Sequence, residues 1–265
     1  MNKTTALIFA AVIVASTATS LSLAWGRTAE EVSIEIVSDT GATLLTIPYQ
    51  EYRQEGTHIS KQYLEAVKNR NYGIVIRNMT RDRVGVVIAV DGRNIISGKR
   101  SDLKNTENMY IVESYERGQY DGWRTDRNTV HKFYFTDLQD SYAMRTFRDS
   151  SSMGVIAVAV YREKVRPQTR YEMLKKNAPA APAAESSAHG KARASRDEAA
   201  GTGFGDAQHS PTITVSFEPE QDPVQKILVK YEWREVLCRK GLLQCGQRQG
   251  SRLWDQDEYA PFPPL

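Results

Sequence analysis

The run Asp121-Gly122-Trp123-Arg124-Thr125-Asp126-Arg127-Asn128 is the densest cluster of polar and aromatic side chains in the chain. An indole beside a guanidinium and a carboxylate can stack on a sugar or a partner's peptide and hydrogen-bond to it. Tyr120 adjoins the run, so Tyr120, Trp123, Arg124 and Asp126 are the candidate binding residues. The same residue types also fit an architectural role. Gly122 admits a tight backbone, Trp123 fills a core, and Arg124 pairs with a neighbouring carboxylate. Burial of Trp123 decides between the two.

Other chemistry finds less support. Gly201-Thr202-Gly203-Phe204-Gly205 is glycine-rich but lacks the Lys-Ser/Thr pair and the following helix of a phosphate loop. Ser150-Ser151-Ser152 precedes Gly154 without the frame of a nucleophile elbow. His58, His131, His189 and His209 are dispersed, and Asp121, Asp126 and Asn128 lack calcium-loop spacing, so no metal and no cofactor is expected. No catalytic residue is assigned. The alternative is a hydrolase, carbohydrate-acting or other, whose site assembles from distant Asp, Glu and His.

Composition narrows the classes further. Lys and Arg number 35 against 32 Asp and Glu, and no segment is a basic block, which speaks against a nucleic-acid partner. Residues 1–24 read as a signal peptide: Lys3, an apolar run over 6–15, then Ser22 and Ala24 placed for cleavage before Trp25. A ten-residue apolar core is short for a ~30 Å hydrocarbon layer, so no membrane span is expected after cleavage. An uncleaved anchor in the inner membrane is the competing reading. Export to the periplasm or beyond favours a disulfide between Cys238 and Cys245, a short clip around Gly241.

The elements that must position these residues are strands. Over 27–165, short β-branched and aromatic runs alternate with turn signals, which predicts an antiparallel β-sandwich or small barrel. The runs 86–90 and 155–160 are apolar at every position and belong at the centre. Asp91-Gly92 is a tight hairpin signal. Segment 62–68 has helical composition between strand runs, and 140–147 suits one or two helical turns.

Residues 166–205 are Ala-, Pro- and Ser-rich and read as a flexible linker. Beyond it, 206–246 suggests a hairpin, from alternating runs at 212–217 and 225–232, followed by a short helix carrying Trp233, Val236 and Leu237. Such a hairpin is marginal alone and should dock on a sheet edge. Residues 247–265 form an extended tail. The mechanism this suggests is strand addition at a sheet edge, within one molecule or between copies.

Several of these strings in order, Val90-Asp91-Gly92 with Asn94, Gly122-Trp123-Arg124, Phe133-Tyr134-Phe135-Thr136, Asp140-Ser141-Tyr142-Ala143 and the run 154–160, resemble a family of exported, uncharacterised bacterial β-rich proteins. The resemblance covers about 75–165 and returns at 201–205 and 231–237. It departs at Phe204, where the family pattern has His, around Phe147-Arg148-Asp149, and in the cysteine pair. It implies an exported protein with a β-rich domain, a low-complexity linker and a short C-terminal segment. It transfers no catalytic residue. The expectation is a cell-envelope protein that works by binding or assembly, non-catalytically.

Overall fold

The computed structural model describes residues 31–164 and 199–245; the expected signal peptide, most of the linker and the tail lie outside them. In chain order the strands are β1 (Val32–Ser38), β2 (Thr46–Gln54), β3 (Thr57–Ala66), β4 (Asn71–Asn78), β5 (Val84–Val90), β6 (Arg93–Asn94) and β7 (Tyr110–Val112). There follow β8 (Arg117–Tyr120), β9 (Gly122–Arg124), β10 (Thr129–Asp137), β11 (Val155–Arg162), β12 (Ala200–Thr202), β13 (Ala207–His209) and β14 (Gln225–Trp233). A 3-10 turn (Leu138–Asp140), helix α1 (Tyr142–Phe147) and helix α2 (Arg234–Arg239) complete the elements.

They form two sheets around one core. The first runs β1-β4-β10-β12, with β8 on β4 and with β9 and β13 on β10. The second runs β2-β3-β14-β11-β5-β6, with β7 on β5. Pairing is antiparallel except between β3 and β14. This is the sandwich-like, mainly β architecture the runs predict, with a short C-terminal helix and no closed barrel.

The wholly apolar runs are central, for a physical reason. On β5 and β11 the residues Val86, Ile88, Val90, Ile156, Val158 and Val160 pack against the first sheet. The opposite faces of the same strands carry Val87, Ala159 and Tyr161, which Leu103 and Met109 cover from the loop between β6 and β7. Both faces are therefore dry, and alternation disappears. Asp91 and Gly92 have φ of 49° and 75°, the left-handed pair that a two-residue hairpin turn demands.

Four sequence readings need correction. Segment 62–68 is not helical: it is largely β3, whose Leu64 and Ala66 enter the core. The linker reading 166–205 extends too far, since Ala200–Thr202 is a fully buried strand on β10. The run 212–217 forms no ladder: Ile213 is 87% exposed, the Thr212 N–H donates to the Arg127 carbonyl at 2.9 Å, and an isolated bridge lies beyond the run, at Pro219 with Glu163. Consequently 206–246 is no hairpin docked on an edge. Strand β14 lies in the middle of the second sheet, between β3 and β11. Those two long partners fill both of its edges and leave none for 212–217.

The C-terminal helix ends as expected, with Leu237 fully buried and Gly241 at φ 69°. Cys238 and Cys245 form a disulfide with Cα atoms 5.6 Å apart. It closes a small loop at the end of the described chain. Cys238→Ser should cost about 2 kcal/mol by the loop-entropy relation, read as a lower midpoint in urea unfolding under non-reducing conditions.

Candidate functional site

The residues singled out by sequence are consumed by the architecture. Trp123 is 2% exposed; its ring meets Phe133 edge-on, and its indole N–H donates to the Gly203 carbonyl at 3.0 Å. That burial takes Trp123 off any contact surface. Gly122 lies so close to β10 that a Cβ there would sit 2.1 Å from the His131 carbonyl oxygen. The Arg124 guanidinium donates to the Tyr110 hydroxyl at 2.7 Å, to the Ser210 carbonyl at 2.9 Å and to the Ser210 hydroxyl at 3.0 Å. It is a clamp that fixes the segment after β13, and not a free ligand hook.

Tyr120 is half-buried against Tyr110, ring centroids 4.4 Å apart, and burial pushes its phenol well up. Asp126 is exposed, but its carboxylate accepts from the Asn128 backbone N–H at 2.7 Å, which holds it below the usual carboxylate range. The structure thus brings Trp123, Arg124 and Tyr120 together as packing and leaves Asp126 capping a turn.

A second polar cluster, which the sequence reading missed, lies inside the core. Asp91 is 1% exposed and accepts from the Gly154 N–H (2.8 Å), the Thr202 N–H (2.7 Å) and the Tyr231 hydroxyl (2.5 Å). Because Tyr231 spends its proton on Asp91, Thr202 Oγ1 must donate to the Tyr231 oxygen, and the Tyr72 hydroxyl to Thr202, each at 2.7 Å. The chain of donation runs one way, from β4 through β12 and β14 to the β5–β6 turn, and it stitches the two sheets together. Burial raises the Asp91 carboxyl to about 6, against the opposing hydrogen bonds, and raises both tyrosines well above their ordinary range. In sequence Asp91 is a turn residue. Its partners lie 63, 111 and 140 positions away, so no local signal could have found them.

The open site is elsewhere, a cleft of about 210 Å³ at one end of the first sheet. Asp39 comes from the loop after β1, Asn71 from β4, Gln119 from β8, Asp121 from the β8–β9 junction, Lys132 from β10 and Gln208 from β13. Tyr72 is shared between this cleft and the buried network. Gly73 makes room: a Cβ there would come 2.3 Å from Asp121 Oδ1. The Asp121 carboxylate instead accepts from the Gln119 amide at 2.9 Å. Among the described residues Asp39, Asp121 and Lys132 form no ion pair with one another or with any other group. Of the sequence-stated cluster, only Asp121 reaches this cleft.

Among the described residues no group of three or more His, Cys, Asp or Glu is arranged to hold a metal ion, and no helix is long and apolar enough to cross a membrane. Compared with protein-family models, with curated protein sequences and with solved structures, the chain matches none. The class defined by the fold and the site is a two-sheet, sandwich-like β protein with a polar cleft at one sheet end.

Proposed function

We propose that this is an exported, non-catalytic binding protein of the cell envelope, and that its cleft takes a small zwitterionic ligand of amino-acid or dipeptide size. The observation that carries the reading is the convergence of two carboxylates and one ammonium, all without ion partners among the described residues, beside the amides of Asn71, Gln119 and Gln208. Asp39 and Asp121 would receive a ligand ammonium and Lys132 a ligand carboxylate, charge-assisted bonds that the free protein leaves to water. The apolar run over 6–15 and the disulfide Cys238–Cys245 support export.

Calorimetric titration with glycine, alanine, glutamate and dialanine tests it. At least one should bind with a Kd of roughly 10 µM to 1 mM, and Lys132→Met should weaken it about tenfold or more. No heat from any of them up to about 10 mM would remove the proposal. Asp39 and Asp121 sharing one cleft also favours a second reading, the hydrolase, and release of product from chromogenic glycosides would establish that one.

A further inference from the structure

Strand β2 ends the second sheet, and from Pro48 to Gln54 every residue is exposed, with no strand on its outer edge among the described residues. Its inner edge is firmly held. β2 pairs with β3 along its length, with a register shift between Pro48 and Gln50. β3 is in turn fixed by β14, by the Thr57 hydroxyl on the Pro223 carbonyl at 2.7 Å, and by the His58 N–H on the Val224 carbonyl at 3.0 Å. The open edge is therefore rigid and presented to solvent, the arrangement in which a strand templates another strand.

The hairpin turn states which residues present the template. β2 and β3 are joined by Glu55 and Gly56, at φ 49° and 86°, so Gln54 and Thr57 close the hairpin as a hydrogen-bonded pair. Pairs then alternate: Arg53 with His58 is non-bonded, Tyr52 with Ile59 bonded, Glu51 with Ser60 non-bonded. The backbone N–H and C=O of Glu51 and Arg53 consequently point out, along the free edge.

These two residues are complementary to themselves. If a second β2 approaches antiparallel with Tyr52 on the two-fold axis, each Glu51 faces the other copy's Arg53, and Gln50 faces Gln54. Glu51 and Arg53 are then hydrogen-bonded pairs exchanging both ladder bonds, while the Tyr52 pair is the closely spaced, non-bonded kind in which side chains touch most. Glu51 and Arg53 share one face and Tyr52 the other. Arg53 has no ion partner among the described residues, and Tyr52 is 37% exposed. Glu51 holds His58 at 2.7 Å with its side chain still 63% exposed, free to take a second cation.

We propose that the protein self-associates through β2, as a two-fold dimer in which the second sheets of two copies become one continuous sheet with Glu51 of each copy bonded to Arg53 of the other. The occupant is a second copy because, among registers that pair residues within β2, only this one pairs opposite charges twice and leaves no like charges opposed. Five facing positions make a small interface, so the dimer is reversible at micromolar concentrations and not obligate. It stands independently of the cleft, which lies on the first sheet.

Sedimentation velocity of the purified protein over roughly 1 to 200 µM tests the proposal. The mass should rise from monomer to dimer across that range. Arg53→Glu places like charges opposite each other at both symmetry-related pairs and should weaken association roughly tenfold or more. Glu51→Arg with Arg53→Glu restores opposite charges and should recover the dimer to within roughly threefold. Arg53→Pro, which removes an outward N–H that the monomer does not use, should abolish it while leaving the fold unchanged. A monomer throughout overturns the proposal, as does association that Arg53→Glu leaves intact or that the double exchange fails to restore in variants with native circular dichroism.

Discussion

Asp91→Ala is expected to destabilise the protein by about 3–5 kcal/mol, a large share of the total stability of a domain. The substitution leaves the buried N–H groups of Gly154 and Thr202 without an acceptor and removes the end of the donation chain that Tyr231 and Tyr72 feed. Each abandoned buried donor costs about 1–3 kcal/mol. Asp91→Asn keeps the shape but aims an amide N–H₂ at a site surrounded by donors, and should cost about 1–3 kcal/mol. Urea unfolding monitored by tryptophan fluorescence measures both, since Trp123 sits in the same core.

The pH dependence separates this mechanism from simple loss of packing. Folding raises the Asp91 carboxyl from an ordinary 3.8 to about 6, so between those values the folded chain holds the proton that the unfolded chain releases. The contribution of Asp91 is therefore fully present below pH 3.8, declines as pH rises, and is lost as pH passes 6. A shift of this size corresponds to about 3 kcal/mol. The wild-type advantage over Asp91→Asn, which cannot titrate, should be larger at pH 4 than at pH 7; an advantage independent of pH would show that the carboxyl is not desolvated.

A chain ending at Gly205 should not fold cooperatively. It lacks β13, β14 and α2, and with them the buried side chains of Ile227, Val229, Tyr231 and Leu237. At about 1.5–3 kcal/mol for each large apolar group, their loss alone approaches the stability of an ordinary domain. The damage goes further, because β14 is an interior strand: its removal strips one edge of β3 and one of β11 of ladder partners. It also removes the Gln225 amide, which bonds both the N–H and the C=O of Val32 at the start of β1. Broad, non-cooperative urea unfolding and collapsed amide dispersion are the expected signatures. A sharp transition with native-like spectra would mean that β14 is an accessory and that its place in the sheet contributes little.

The contrast between what the sequence disclosed and what it hid has a physical basis. The apolar runs of β5 and β11 announced burial on both faces, and Asp91-Gly92 announced its turn, because face burial and backbone chirality are local properties. The position of β14 was hidden. Its buried Ile227, Val229 and Tyr231 alternate with the half-buried Lys226, Leu228 and Lys230, because the opposite face of the sheet there is only partly covered. Alternation reports which faces are covered; it does not report whether the two edges have partners. The same limit made 212–217 read as a strand, although among the described residues it joins no ladder.

Trp123 was legible as a core residue or a contact residue, and only the carbonyl of Gly203, 80 positions away, decides for the core. Gly201 and Gly203, which fell within the segment read as a flexible linker, are glycines because Ser141 and Tyr134 occupy the space a Cβ would need. The cleft had no signature at all. Asp39, Asp121, Lys132 and Gln208 come from separate elements and are ordinary surface residues until the first sheet assembles them.

The most direct test of the binding proposal is a nitrogen-15 NMR titration of the purified protein with dialanine, the smallest probe carrying both charges at peptide spacing. The account predicts amide shifts that saturate together at Asp39, Gly73, Gln119, Asp121, Lys132 and Gln208, and that vanish in Lys132→Met while the rest of the spectrum stays native. Shifts confined to other surfaces, or saturation unaffected by Lys132→Met, would contradict it.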